Sequence, residues 1–236
     1  LQTQSDGPIN MMVANVTSSG KIRSYARFDA KNFDNTKKQS TIPNLLGNGH
    51  LAFTVDQGPD MERYQGITAL EGSNLAECAQ NYFQQSEQIE TAILLTASPA
   101  KKKAAALMIQ KMPISNKSSN HLGTPSPEKD YEGWRNAVVL MSSITIDELL
   151  DTNLKAHDLL YRLYNEVGVR LHGKKSLKFQ CQCSSEKIGA TLASFPPKEI
   201  DDMKTNKGLI TADCEFCGTQ YKFDDGTLRT MRKNLY

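Results

Sequence analysis

The sequence predicts an α+β protein, with a β-rich core domain that has packed helices, a helical linker and a small cysteine-rich C-terminal domain. Three observations lead to this prediction. Apolar residues recur with a period of two in the first half of the 236 residues, and with a helical period from about residue 128. Four of the five cysteines lie in the last quarter. We place the domains at 1–119, 120–173 and 174–236.

The first domain is predicted to consist of short strands joined by turns. Lys21–Phe28 alternates Lys, Arg and Tyr with Ile, Ser, Ala and Phe, so its charged side chains share one face. Ser18, Ser19 and Gly20 supply a turn back to residues 11–16, which predicts a hairpin. Further strands are predicted at 51–55, 64–70, 91–96 and 105–111, between turns marked by Gly or Pro.

One helix is predicted to interrupt these strands, over residues 74–85. Its apolar residues recur at helical spacing, and Ser73 or Asn74 is placed to cap its N-terminus. Cys78 lies on the apolar stripe of this helix. We therefore interpret Cys78 as a buried core residue rather than a reactive thiol.

A polar loop over 116–127 separates the β-rich part from a segment with two helical apolar stripes. The first stripe contains Trp134, Val138 and Met141, and the second contains Leu160, Leu163, Tyr164 and Val167. Apolar surface of this extent is unstable in water. We therefore expect the segment to lie against the β-rich domain.

The cysteines of the last domain are predicted to bind zinc. They occur as Cys181-x-Cys183 and Cys214-x-x-Cys217, with thirty residues between the pairs. Two close thiol pairs separated by a short folded segment suit a tetrahedral tetrathiolate site. We predict one Zn²⁺ per chain in the reduced state. So small a domain has little core, so it is expected to unfold when the metal is removed.

The spacing leaves two roles open, a purely structural zinc site and a site that responds to oxidants. In an extended segment, residues i and i+2 are about 6.5–7 Å apart at Cα, near the limit of disulfide geometry. Closing Cys181–Cys183 should therefore distort the backbone, whereas Cys214–Cys217 lies on a predicted turn. If oxidation occurs, we expect Cys214–Cys217 to close first.

Composition and motifs argue against several functions. A net charge of +2 gives little support for a nucleic-acid partner. No apolar run is long enough to span a membrane and no signal-peptide pattern is found, which favours the cytoplasm, or an organellar matrix in a eukaryote. The sequence lacks the motifs of hydrolases, metalloproteases and phosphate-binding enzymes. We therefore expect no enzymatic activity.

Several motifs together resemble the 33 kDa chaperonin family of redox-regulated heat-shock holdases. The C-terminal motifs are Phe179-Gln-Cys181-Gln-Cys183-Ser184, Asp213-Cys214-Glu-Phe216-Cys217-Gly218 and Tyr221-Lys-Phe223. The upstream motifs are Ser5-Asp6-Gly7-Pro8, Leu46-Gly47-Asn48-Gly49, Glu62-Arg63-Tyr64-Gln65-Gly66 and Tyr82-Phe83-Gln84-Gln85-Ser86-Glu87-Gln88. The resemblance covers essentially the whole chain. It also implies a helical segment before Leu1, so we expect this sequence to be a fragment, a processed form or a truncated chain.

The resemblance implies an ATP-independent holdase that is inactive while its thiols hold zinc. Oxidants and unfolding conditions would close two disulfides, release zinc and loosen the linker, and the active form would bind unfolding client proteins, commonly as a homodimer. The linker residues expected to cover the core domain at rest, and to contribute to client binding, are Trp134, Val138, Met141, Leu160 and Leu163. Two alternatives remain, a thiol–disulfide oxidoreductase using Cys214 and Cys217 and a zinc-ribbon adaptor.

Overall fold

The fold was described from a computed structural model, which covers residues 1–33, 41–58, 60–113 and 127–233. The chain forms two units. The first comprises Leu1–Met12 and Ala26–Lys174, and the second comprises Val13–Tyr25 and Lys175–Tyr236. The expected boundary between core and linker, at residues 119 and 120, lies outside the described residues.

The first unit is built on an antiparallel sheet in which β1 lies beside β4, and β4 beside β5. The strands are β1 Gln2–Ser5, β2 Ile9–Val16, β3 Lys21–Phe28, β4 Gly49–Val55 and β5 Tyr64–Ala69. The predicted hairpin is confirmed as β2 and β3, with the turn closed by hydrogen bonds from Gly20 N to Thr17 O and from Thr17 N to Lys21 O, both 2.9 Å. Only the first part of β2 and the last part of β3 belong to this unit.

Short helices α1 (Ala30–Phe33) and α2 (Ile42–Leu46) precede β4, and helix α3 (Leu75–Tyr82) follows β5. Of the two predicted caps, Ser73 and Asn74, it is Asn74 that caps α3, because its side-chain oxygen accepts a hydrogen bond from Glu77 N at 3.0 Å. A π-helical turn, Phe83–Glu87, takes up the end of the predicted helix. Cys78 is buried in the core, as expected, and burial raises the pKa of its thiol.

The remaining strands of the first unit form a separate ribbon, β6 (Thr91–Ser98) paired antiparallel with β7 (Lys103–Gln110). Helix α3 packs against β6. The two strand predictions for this region are confirmed, and the tip of the ribbon is the lysine-rich turn at residues 99–102. This ribbon is the surface against which helix α5 packs.

Three helices follow, α4 (Pro127–Ser142), α5 (Ile146–Leu150) and α6 (Ala156–Tyr164). Helix α5 packs against both β6 and β7, and α4 packs against α6. At the ribbon tip, Lys101 Nζ donates to Asp147 Oδ1 at 3.1 Å. The segment therefore contacts the β-rich part through α5, which carries neither predicted stripe, and the striped helices α4 and α6 pack against each other.

The predicted second stripe was wrong in detail. Helix α6 ends at Tyr164, and Gly168 adopts a φ of 84°, a left-handed conformation that terminates helices. Val167 therefore lies beyond the helix and is exposed. Leu159, which was not predicted, is buried together with Leu163.

Helix α5 begins with a capping box. Thr145 Oγ1 accepts a hydrogen bond from Glu148 N at 3.3 Å, and the Glu148 carboxylate accepts one from Thr145 N at 2.9 Å. The guanidinium of Arg162, on α6, also donates to Glu148. The Thr145 amide, followed by Arg162, lowers the pKa of Glu148 to about 2.

The second unit contains the cysteine-rich sequence and the distal part of the β2–β3 hairpin. Its elements are β8 Lys178–Phe179, α7 Ser185–Ala193, α8 Pro197–Asp202, β9 Ile210–Asp213, β10 Gln220–Phe223 and α9 Asp225–Lys233. Ile200, Ile210, Phe223 and Leu228 form its buried core. The helices expected from the sequence at 184–194 and 197–205 correspond to α7 and α8, and the short strands expected on either side of the second cysteine pair correspond to β9 and β10, whereas β8 and α9 were not expected.

We expect Glu148→Gln to lower the urea midpoint of helices α4–α6 at pH 7, because a neutral amide loses the charge-assisted bonds to Thr145 and Arg162. The folded pKa of Glu148, about 2, lies below its unfolded value of about 4.3. This stabilisation is therefore present above about pH 4.3 and is lost as the pH falls towards 2. Fluorescence of Trp134, the single tryptophan, measures the transition.

The matched control is Glu166→Gln, at an exposed position just beyond α6. Its midpoint should follow that of the wild type at every pH. A Glu148→Gln difference that stays constant between pH 7 and pH 2 would contradict the assignment.

Candidate metal centre

The first cysteine pair is positioned by the strand before it and the helix after it. Gln180 N, adjacent to Cys181, donates to Ile22 O at 3.0 Å. Ser184 follows Cys183 and caps α7, because Ser184 Oγ accepts from Lys187 N at 3.3 Å. The two thiols thus lie in the short connection between a paired strand and a capped helix.

The second pair lies on the turn between β9 and β10, as the sequence predicts. Cys214 O accepts hydrogen bonds from Cys217 N at 3.2 Å and from Gly218 N at 2.7 Å. Gly218 has a φ of 71°, a conformation that glycine adopts without steric cost. Cys214 N donates to Thr219 O at 2.9 Å, which closes the turn.

The four sulfur atoms converge on one point. All four lie within 4.8 Å of one another. Cys181 Sγ is 3.6 Å from Cys214 Sγ, and Cys183 Sγ is 3.5 Å from Cys217 Sγ. A tetrahedron with metal–sulfur bonds of about 2.3 Å has sulfur–sulfur edges of about 3.8 Å. The thiols are free rather than disulfide-bonded, and their arrangement can hold a metal ion.

The thiols perturb one another's ionisation. The backbone amide of Cys183 and the neighbouring thiols lower the pKa of Cys181 to about 6. The Tyr221 hydroxyl by itself would lower the pKa of Cys183, but the other three thiols and desolvation raise it to about 12. Protons therefore leave the cluster unevenly, and a bound cation would have to displace those that remain.

Sequence reasoning did not identify two polar neighbours of the sulfurs. Tyr221 Oη donates to Cys183 Sγ at 3.1 Å, and this bond raises the pKa of Tyr221 to about 12. Thr219 Oγ1 lies 3.2 Å from Cys217 Sγ. Tyr221 begins one of the motifs that carry the family resemblance and Thr219 lies two residues after Cys217, but neither pattern indicated a contact with a sulfur atom.

The β2–β3 hairpin contacts the side chain of Phe216, on the turn that carries the second cysteine pair. The Arg23 guanidinium lies 4.1 Å from the centroid of the Phe216 ring, and the Tyr25 and Phe216 rings are 6.0 Å apart. Phe216 lies between the two cysteines of the second pair. The alternation of charge along Lys21–Phe28 was the only sequence signal for this contact.

The five predicted linker residues lie on α4 and α6, in the first unit. Met141 and Leu163 are buried, at 3% and 5% exposure. Trp134, Val138 and Leu160 are half-buried. The structure thus places the five side chains on two helices that pack against each other, with Tyr164 Oη donating to Ala137 O at 3.2 Å.

Comparisons of the sequence agree on one family. A family model described as "Hsp33 protein" matches residues 1–224. The 33 kDa chaperonin of Caulobacter vibrioides (strain NA1000 / CB15N) is 37% identical over 233 residues, which cover 95% of this chain and 74% of that protein. The 33 kDa chaperonin of Aliivibrio fischeri (strain MJ11) is 37% identical over 226 residues, covering 95% of this chain and 71% of that protein.

The fold has a solved counterpart. The crystal structure of the 33 kDa chaperonin of Thermotoga maritima superposes with a TM-score of 0.72 at 23% sequence identity. The match covers 99% of this chain and 78% of that one. Among the described residues, the search for membrane spans finds no helix of sufficient length and hydrophobicity.

Replacing any one of the four clustered cysteines with serine should abolish stoichiometric metal binding, because a three-thiolate site loses one corner of the tetrahedron. Purified wild type should retain about one zinc per chain by elemental analysis, and each variant well below half of that. Loss of the metal should also increase hydrogen exchange in α7 and α9. Cys78→Ser is the control, and it should bind zinc like the wild type. Full zinc occupancy in Cys214→Ser would contradict the four-thiol assignment.

Proposed function

Because this chain belongs to the Hsp33 protein family, we propose that it is a redox-regulated, ATP-independent holdase. Chaperones of the Hsp33 type bind unfolded client proteins. The convergence of four free thiols within 4.8 Å of one another supports the finer proposal, since it makes one structural element responsible for both metal binding and oxidation.

In the reduced state, Cys181, Cys183, Cys214 and Cys217 would hold one zinc ion. Zinc has no redox chemistry of its own, so its contribution is to fix the four thiolates in place. The buried core of the second unit is small, and zinc binding in thiolate sites contributes on the order of 10–16 kcal/mol at neutral pH. The fold of this unit would therefore depend on the reduced thiols.

Oxidation would close two disulfides, each formed from two thiols as one peroxide is reduced to two waters. A disulfide in a loop this short contributes only a few kcal/mol. That is less than the zinc contribution, so the unit would loosen on oxidation. The Cys214–Cys217 turn would close before Cys181–Cys183, because its residues are already brought together by backbone hydrogen bonds to Cys214 O.

Residues 120–173 would act as the linker between the core domain, 1–119, and the redox-switch domain, 174–236. Packing of α5 against β6 and β7, with Leu150 of α5 only 6% exposed, supports this role. When the linker loosens, Trp134, Val138, Met141, Leu160 and Leu163 would become available to clients. We further propose that the active form is a homodimer and that it acts in the cytoplasm, or in an organellar matrix if the source is eukaryotic.

The two alternatives make different predictions. A thiol–disulfide oxidoreductase would reduce insulin catalytically through Cys214 and Cys217, whereas a holdase would not. A zinc-ribbon adaptor would bind nucleic acid in a strongly salt-dependent manner, which the net charge of +2 does not favour. An insulin-reduction assay and a nucleic-acid titration separate these functions from client holding.

The central prediction is that only the oxidised, zinc-free form prevents aggregation. A thermally unfolding client is followed by light scattering without ATP, in the presence of protein that is either reduced and zinc-loaded or treated with peroxide at elevated temperature. Oxidised protein should suppress the scattering at near-stoichiometric ratios. Zinc release, measured in parallel, should follow the gain in activity.

Peptide mapping of the same samples gives the order of disulfide closure, with Cys214–Cys217 expected first. Equal suppression of scattering by the reduced and the oxidised forms would indicate that zinc has only a structural role.

A second prediction concerns docking of the linker. Leu150, on α5, is 6% exposed, whereas Ile146, on the same helix, is 66% exposed. Leu150→Ala should weaken docking by about 2–5 kcal/mol, through lost burial and the cavity left behind. We expect reduced, zinc-loaded Leu150→Ala to suppress client aggregation partially, while Ile146→Ala behaves like the wild type. The linker role would be contradicted if amide hydrogens in the linker helices of Leu150→Ala exchanged faster than in the wild type while the reduced variant failed to suppress client aggregation.

A further inference from the structure

The distal part of the β2–β3 hairpin belongs to the same unit as the metal centre, although more than 150 residues separate them in sequence. This segment, Val13–Tyr25, is the one part of the N-terminal sequence that the second unit includes. Its contacts therefore show how an early strand can influence a late cysteine cluster.

The hairpin holds the first cysteine pair through the backbone. Strand β8 lies parallel to β3, with Lys178 opposite Lys21 and Phe179 opposite Ile22. Lys178 N donates to Gly20 O at 2.9 Å, and the next bond in the ladder joins Gln180 N to Ile22 O. Gln180 immediately precedes Cys181, so its hydrogen bond to β3 fixes the position of the backbone at the first cysteine.

The hairpin holds the second pair through side chains. The Phe216 ring lies between Cys214 and Cys217 in sequence and stacks under the Arg23 guanidinium at 4.1 Å, with Tyr25 beside it. Arg23 Nε is buried and makes no hydrogen bond within the described part of the chain. A guanidinium that is partly removed from water interacts more strongly with an aromatic face than an exposed one.

We propose that Arg23 is a positioning residue for the metal centre. Together with Tyr25 and Phe216 it forms an aromatic clasp, which holds the second cysteine pair on the same strand that holds the first. Opening of the centre requires the two pairs to separate from this strand, so the clasp slows metal loss and thiol oxidation. The inference rests on the proposed function and adds to it the element that sets the rate of the switch.

The charge of Arg23 acts in the same direction. Four thiolates around one divalent zinc ion carry a net charge of −2, and two disulfides carry none. Arg23 packs at 4.1 Å on the ring of Phe216, which is adjacent to Cys217 in sequence, so its positive charge would favour the reduced centre over the oxidised one. A lysine at this position would retain that charge, whereas a methionine would retain only the bulk.

The test compares Arg23→Met with Arg23→Lys in the full chain, both zinc-loaded and reduced. Zinc loss is followed at neutral pH with an excess of a zinc-binding dye. Arg23→Met should lose zinc about three- to tenfold faster than the wild type, and Arg23→Lys should largely restore the slow rate. Arg229→Met, at an exposed position on α9 of the same unit, is the control and should leave the rate unchanged.

Two further measurements separate a clasp from general destabilisation. Cobalt-substituted Arg23→Met should retain the sulfur-to-cobalt absorption of the wild type, because the four ligands are unchanged. Phe216→Leu should also accelerate zinc loss, and the double variant should be no faster than the faster single variant. The proposal would be overturned if the accelerations of the two single variants multiplied in the double variant. It would also be overturned if Arg23→Met lost zinc at the same rate as the wild type.

The clasp proposal and the holdase proposal can be rejected independently of each other. Faster zinc loss in Arg23→Met, in a protein whose oxidised form does not protect clients, would support the clasp and reject the chaperone switch. Protection of clients by oxidised wild type, with identical zinc loss in both proteins, would reject the clasp and leave the switch standing.

Discussion

The convergence of four thiols on one point is the constraint on which the rest of the second unit depends. The buried core of that unit centres on Ile200, Ile210, Phe223 and Leu228, which is little apolar burial for a folded domain. Sulfur atoms 3.5–3.6 Å apart repel one another as thiolates unless a cation lies between them. The same geometry that would stabilise the unit around a metal would therefore destabilise it if the thiolates lost that metal.

Local patterns in the sequence were sufficient to predict much of this architecture. The cysteine spacing predicted a four-thiol cluster, because ligand pairs on short connections have few other ways to converge. The Asn74 cap and the turn at Gly20 were likewise predicted, since both depend on neighbours within a few residues. The apolar stripes predicted that this helical segment would contact the β-rich part, but they did not identify α5 as the helix that makes the contact.

The parts of the architecture that were not predicted depend on contacts between residues that are distant in sequence. Along β3, the side of the strand with Arg23 and Tyr25 is the more buried one, and Ile22 on the other side is exposed. The period-two pattern of β3 assigns its charged face to solvent. It contains no information about contact with the Phe216 ring, which lies much later in the sequence. Strand β8 has only two residues, too few for any periodic pattern, and exists because β3 offers it backbone partners.

The fifth thiol has a consequence for the chemistry of oxidation. Cys78 is 1% exposed on α3, and burial raises its pKa, so it stays protonated at neutral pH. Thiols react with peroxide as thiolates, and a buried protonated thiol is therefore a poor competitor for oxidant. An odd number of cysteines would otherwise favour mixed disulfides and cross-linked chains. Because the odd thiol is buried, an even set of four remains, and under the proposed oxidation two equivalents of peroxide would convert that set into two disulfides without a leftover sulfur.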